Sequence, residues 1–244
     1  MNSFFQANPA EAFQQFSISH LIVIFLIVAV NCIVYIFRTK IKRNKNDRTV
    51  RILIATLLLA LFAADQFWEA AVGIWSVQSS LPLHMCGLSI FLCSFMLLYK
   101  SYPLYEITYF WGLAGASQAI LTPDLKYPFP HFMFFQFFLT HSLIITGCLW
   151  ITFIDDFTPT LKSLAKTFAV TNVYLVLIAA FNYFTGSNYM YICRKPEHLS
   201  LLAYMGPWPW YVFTGEFIAL ILFFICYLPF ALAGITAKLK SRIR

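Results

Sequence analysis

Cys86, His84, His141, Asp65 and Glu69 are the side chains whose types and spacing bear most directly on chemistry. A thiol attacks as the thiolate, so it needs a base within hydrogen-bond reach. His84 is poorly placed to be that base, because residues i and i+2 of a helix point away from each other. His141, from a distant stretch, is the better candidate. Asp65 or Glu69, which share a helix face at i and i+4, would orient its imidazole in the usual logic of nucleophile, base and orienter. Two other roles fit Cys86 by residue type: a packed apolar thiol, or a disulfide partner of Cys193 across an oxidising face. The same carboxylates and imidazoles are suitable donors for a metal-activated water, although no compact metal motif accompanies them. A further reading needs no nucleophile: Asp65, Glu69 and Glu216 bind protons or a cation in an outward vestibule, as in a transporter or ligand-binding membrane protein. The sequence shows neither the internal repeat nor the Gly-interrupted helix pairs expected of many transporters.

The elements that must position these groups are membrane helices. With 60% hydrophobic and 11% charged residues, a chain of 244 residues exposes more apolar surface than one soluble core can hide. A formal charge of +7 would suit a nucleic-acid partner only if the cations gathered on a soluble face, and they do not. About 20 apolar residues cross a bilayer core, and seven runs qualify: 18–37, 52–72, 83–99, 104–121, 132–153, 168–183 and 211–234. Pro82, Pro103, Pro128 and Pro209 fall at or near the starts of runs, where a missing N–H is tolerated; Pro229 lies inside the last and predicts a kink. Residues 1–17 carry no Lys or Arg, and the first run is too long for a signal segment, which predicts that it is retained. If the runs alternate direction, fourteen of the 17 Lys and Arg, including Lys45 and Arg244, fall on one side. Only Lys126, Arg194 and Lys195 fall on the other. The positive-inside rule makes the first side cytoplasmic. The expectation is an all-α, multi-pass protein of the cell membrane. It has about seven transmembrane helices in one domain, residues 1–244, with its N-terminus outside and its C-terminus in the cytoplasm.

Polar groups inside a bilayer are costly and call for a partner, a cavity or a function. At about 1.5 Å per residue, Asp65, Glu69, His84, Cys86, Gln118, Gln136, His141, Asn182 and Glu216 gather in the outer half on helices two to seven. That predicts a polar pocket open outward. Gln118, Gln136 and Asn182 are read as interhelical hydrogen bonds holding the bundle. The same bookkeeping puts Cys86 near the outer surface and His141 about 10 Å deeper, whereas proton transfer needs about 3 Å. The pair therefore requires the fifth helix to begin above Phe132, through 129–131. Trp208 and Trp210 either cap an acyl-chain slot or anchor the chain at the interface.

Five stretches carry a resemblance: Pro82-Leu83-His84-Met85-Cys86; Leu121-Thr122-Pro123-Asp124; Thr140-His141-Ser142; Gly186-Ser187-Asn188-Tyr189-Met190-Tyr191 with Lys195-Pro196; and Gly206-Pro207-Trp208-Pro209-Trp210-Tyr211. Together they resemble the YwaF-type bacterial integral membrane proteins over nearly the whole chain. That family is similar in turn to a eukaryotic membrane acyltransferase that remodels ether phospholipids through a Cys nucleophile assisted by a His. The resemblance implies Cys86 as nucleophile and His141 as the histidine, acting on a membrane phospholipid as acyltransferase or acyl hydrolase, with no cofactor. Asp65, Glu69, His84, Trp208 and Trp210 would support the site or hold substrate. The lipid itself and the oligomeric state are not legible.

Overall fold

The computed structural model describes residues 3–9, 11–43, 46–196 and 201–243; Lys45, Arg244 and 197–200 of the long loop lie outside the described residues. Among them the chain is all-helical, in seven rods: α1 (Ile18–Arg43), α2 (Asp47–Ala71), α3 (Met85–Tyr99), α4 (102–121), α5 (Phe132–Ile154), α6 (Leu161–Thr185) and α7 (Trp210–Ile243). Within α4 a π-helical turn, Trp111–Gly115, separates two α-helical stretches. Five rods are long and apolar enough to cross a membrane: α1, α2, α5, α6 and the stretch Trp210–Gly234 of α7. This is a polytopic helical membrane bundle. Helix α7 continues through Pro229, and the Tyr109 hydroxyl donates to the Cys226 carbonyl one turn before it, at 3.0 Å.

Helix α5 is the central post. Within its apolar window 67% of residues are buried, against 11% for α1 and 6% for α7, so the outer rods give most of their surface to lipid. It packs on α1, α2, α3 and α4. Lipid tails are as apolar as leucine, so close backbone approach rather than hydrophobic gain holds such helices together. Gly147 illustrates the point: a Cβ there would stand 2.6 Å from Cys93 Sγ, and α3 could not lie against α5.

One end of the bundle is basic and is tied by ion pairs. Asp47 at the head of α2 pairs with Arg51 (3.0 Å) and with Lys100 (3.1 Å), the residue that follows α3. Trp150 of α5 donates to the same carboxylate at 2.9 Å. Lys100 also pairs with Asp155 just past α5, and Glu106 of α4 with Lys166 of α6 at 2.7 Å. Burial works against the Lys100 ammonium, but hydrogen bonds to Asp155 and Asp47 outweigh it and hold its pKa above the usual lysine value. What the lysine contributes to stability is therefore complete below its usual pKa and is lost as pH rises through the raised one.

Helix starts follow local chemistry. Thr160 and Ser163 form a reciprocal capping box at α6, which starts the helix seven residues before the apolar run expected at 168. His131 caps α5, its Nδ1 accepting from the Met133 N–H at 3.1 Å while its Nε2–H donates to the Gln6 carbonyl at 2.9 Å. That second bond helps fasten the N-terminal segment across the non-basic end, together with Trp68 Nε1 donating to Phe5 and the Tyr127 hydroxyl to Ala7.

Candidate functional site

The depth mismatch expected between Cys86 and His141 is removed by α3, not by α5. Helix α5 begins at Phe132 as expected. Helix α3 begins only at Met85 and has 15 residues, about 22 Å, too short for a bilayer core of about 30 Å. The chain from Val72 to His84 descends without helix before α3 starts. The basic-end ion pair sets a common level. Fourteen residues separate Lys100 from Cys86 and fourteen separate Asp155 from His141, about 21 Å along each helix. Thiol and imidazole stand in one layer.

Two cavities meet at that layer. The larger, about 490 Å³, lies among α4, α5, α6, α7 and residues 190–192, and its wall is mostly apolar. The smaller, about 170 Å³, lies among α2, residues 79–82, α3 and α5 and carries Asp65, Glu69, Ser79, Ser80, Gln136 and Thr140. His84, Cys86 and His141 are the three residues common to both walls. A third hollow of about 670 Å³, between α1, α4 and α5, is an apolar groove that holds none of the candidate residues.

Cys86 is the second residue of α3, where backbone N–H groups lack intrahelical partners and the helix dipole favours negative charge. Its Sγ lies against Gly115, where a Cβ would be 3.8 Å away; Gly115 ends the π-turn, a local widening often found at functional sites. His141, 8% exposed, donates its Nδ1–H to the Phe137 carbonyl at 2.7 Å. In the neutral imidazole this leaves Nε2 with the lone pair, the form a base needs. Cys86 and Cys193 are both free thiols, so no disulfide joins them here.

His84 is held from the other side. Its Nδ1 accepts from the Met190 N–H at 3.3 Å, and its ring packs on Tyr189 and Tyr191. Met190 and Tyr191 adopt φ of 61° and 52°, a left-handed conformation that costs non-glycine residues and clusters at functional sites. Surrounding bonds enforce it. The Tyr191 hydroxyl donates to Asp124 at 2.5 Å, Tyr211 donates to the Tyr191 carbonyl at 2.6 Å, and Asn182 Oδ1 accepts from the Tyr189 N–H and the Ser187 hydroxyl. Replacing Asn182 by leucine leaves the Tyr189 N–H and the Tyr189 carbonyl that its amide serves without partners, at about 1–3 kcal/mol each, while the Ser187 hydroxyl keeps Thr185. The expected result is faster amide deuterium exchange across 187–191, with the centre of α5 unchanged.

Several sequence expectations are redistributed. Gln118 bonds to Thr122, the residue that ends its own helix, at 2.5 Å, and Gln136 faces the smaller cavity; among the described residues neither side chain ties two helices. Asn182 organises the loop that follows its own helix. Glu216 accepts from Asn172 at 2.8 Å and lines the larger cavity, so the structure does not bring it together with Asp65 and Glu69. Trp208 and Trp210 are about two-thirds exposed and stand outside both walls. Their neighbour Tyr211, 2% exposed, lines the larger one. Asp124 and Tyr191 fall within the motif stretches, but local sequence gives no sign of their pairing, which joins segments 67 residues apart. Among the described residues no group of three or more His, Cys, Asp or Glu is placed to hold a metal.

Seven helical rods, with a thiol and imidazole layer bordered by an apolar and a polar cavity, define a polytopic membrane protein with a partly open internal site. The chain belongs to the TMEM164 family, whose model matches residues 15–227. No curated protein and no solved structure matches it.

Proposed function

We propose that this protein is a membrane-embedded lipid acyltransferase or acyl hydrolase of the cell membrane, with Cys86 as nucleophile and His141 as base. The observation that carries the reading is the shared wall: Cys86 and His141 border both the apolar and the polar cavity. An acyl ester spanning the two would lay its chain in the larger and its polar part in the smaller. The resemblance of the Pro-Leu-His-x-Cys and Thr-His-Ser stretches to acyl-transfer proteins supports the same roles. With the basic end placed in the cytoplasm, the polar cavity faces outward.

In this mechanism His141 Nε2 takes the Cys86 proton and the thiolate attacks the ester carbonyl. The tetrahedral adduct forms near the Cys86 and Gly87 N–H groups in the first turn of α3. The C–O bond then breaks, His141 returns the proton to the departing alcohol, and a thioester remains on Cys86. A second alcohol attacks the thioester with His141 again taking its proton, completing transfer; water in its place gives hydrolysis. Intact mass analysis of purified protein incubated with phospholipid tests this. The expected result is one acyl chain on Cys86, removed by neutral hydroxylamine. An unmodified thiol under turnover by the same sample would sink the covalent mechanism.

A further inference from the structure

The smaller cavity holds more polar chemistry than a thioester mechanism uses. Asp65 and Glu69 stand one turn apart on α2, facing Thr140 and Gln136 of α5 across it. Asp65 Oδ1, Glu69 Oε2 and Thr140 Oγ1 are enclosed and have no hydrogen-bond partner. Thr140 is 4% exposed and Gln136 8%, so the unpartnered hydroxyl belongs to a side chain buried by more than nine-tenths. Among the described residues neither carboxylate forms an ion pair with any Lys, Arg or His, although five other pairs are present. Two carboxylates a turn apart raise each other's energy, and water-poor surroundings raise it further. The cavity lacks one thing to balance them, a cation brought from outside.

We propose that this cavity is a binding site for an organic ammonium ion. Asp65 Oδ1 and Glu69 Oε2 accept its N–H groups, or face its methyls if it is quaternary. Phe62, in the same wall, offers an aromatic surface of the kind that attracts such cations. Thr140 and Gln136 are left to bind an oxygen on the same molecule. The volume of about 170 Å³ equals that of about six waters at roughly 30 Å³ each, enough for a two-carbon amine and too little for an acyl chain. A bare metal ion fits less well, since among the described residues no third His, Cys, Asp or Glu joins the pair in a metal-holding group. A lipid head group and a free amine share this chemistry. The proposal goes beyond the acyl-transfer reading and does not need Cys86 to react.

Ligand-dependent unfolding temperature separates the possibilities, because whatever binds the folded state raises it saturably. Purified protein and its Cys86→Ala variant would each be titrated with ethanolamine, lysophosphatidylethanolamine, lysophosphatidylglycerol and sodium chloride. Saturable stabilisation by ethanolamine is expected, or by lysophosphatidylethanolamine alone, which would place the source of the amine in the bilayer. It should remain saturable in Cys86→Ala, since no thiol chemistry is required, and be tenfold or more weaker in Glu69→Gln and in Asp65→Asn. If a variant does not fold, displacement of labelled ethanolamine from the parent by choline, but not by equimolar sodium, carries the same information. An equal response to sodium or to lysophosphatidylglycerol, a response undiminished in both variants, or no response to either amine overturns the proposal. A thioester that forms in the absence of any amine response would leave the acyl-transfer reading standing alone.

Discussion

Purified His141→Gln protein is expected to transfer or hydrolyse acyl chains about 10²–10⁴-fold more slowly than the parent, and Cys86→Ala to form no thioester at all. The first figure is the usual contribution of a positioned general base. It applies because His141 is locked by its Nδ1–H bond to Phe137 with one nitrogen left for proton transfer, a role that a glutamine amide cannot fill. Glutamine keeps a donor for the Phe137 carbonyl, so the helix and both cavities should persist. Lipid products resolved by mass spectrometry supply the rate, and unchanged unfolding temperature supplies the control. Parent-like turnover by both variants would remove the dyad and return attention to ligand binding or transport.

The largest loss of stability should come from Arg51. It is 7% exposed, donates to the Leu97 carbonyl at the end of α3 at 2.5 Å, and pairs with Asp47. Replacing it by methionine keeps most of the apolar stem but leaves Asp47 with a weaker set of partners and the Leu97 carbonyl with none. Removing one member of a buried pair typically costs about 3–5 kcal/mol; Asp47 retains Lys100 and Trp150, so the lower end is expected. The Lys42–Asp156 pair is the natural contrast. Asp156 is 78% exposed there, and exposed pairs contribute about 0–1 kcal/mol, so Asp156→Asn should be nearly silent. Unfolding of the three proteins in one detergent measures both; equal stability of Arg51→Met and parent would contradict the role given to the basic end.

Much of the bundle is legible in run length and charge. Seven apolar stretches became seven rods because lipid imposes a minimum length and forbids open backbone. Hydropathy fails at the ends. Lys162 and Lys166 hid the first turns of α6, although Thr160 and Ser163 signal its start, while Pro82-Leu83-His84 reads as apolar yet is not helix. Taken as helix, that stretch would put Cys86 at a surface. Its depth is set from the other end, where Lys100 meets Asp155, and a long-range ion pair is invisible in local sequence. The candidate layer of titratable residues was recognisable because each is expensive in lipid. Its division into two cavities was not, since it depends on which face of each rod the bundle turns inward.

The brevity of α3 also bears on how the protein is made. Helices α1, α2, α5, α6 and α7 each contain a window with mean hydropathy of 1.7 or more and can enter the bilayer one at a time. A segment of 15 residues preceded by irregular chain has unsatisfied peptide groups unless neighbours already surround it. Its insertion therefore belongs to a later stage, in which α3 and α4 settle against α2 and α5 as a hairpin turned at Lys100, whose φ is 49°. The cysteine is carried to its depth only when that stage is complete, so the interior site is among the last parts of the molecule to exist.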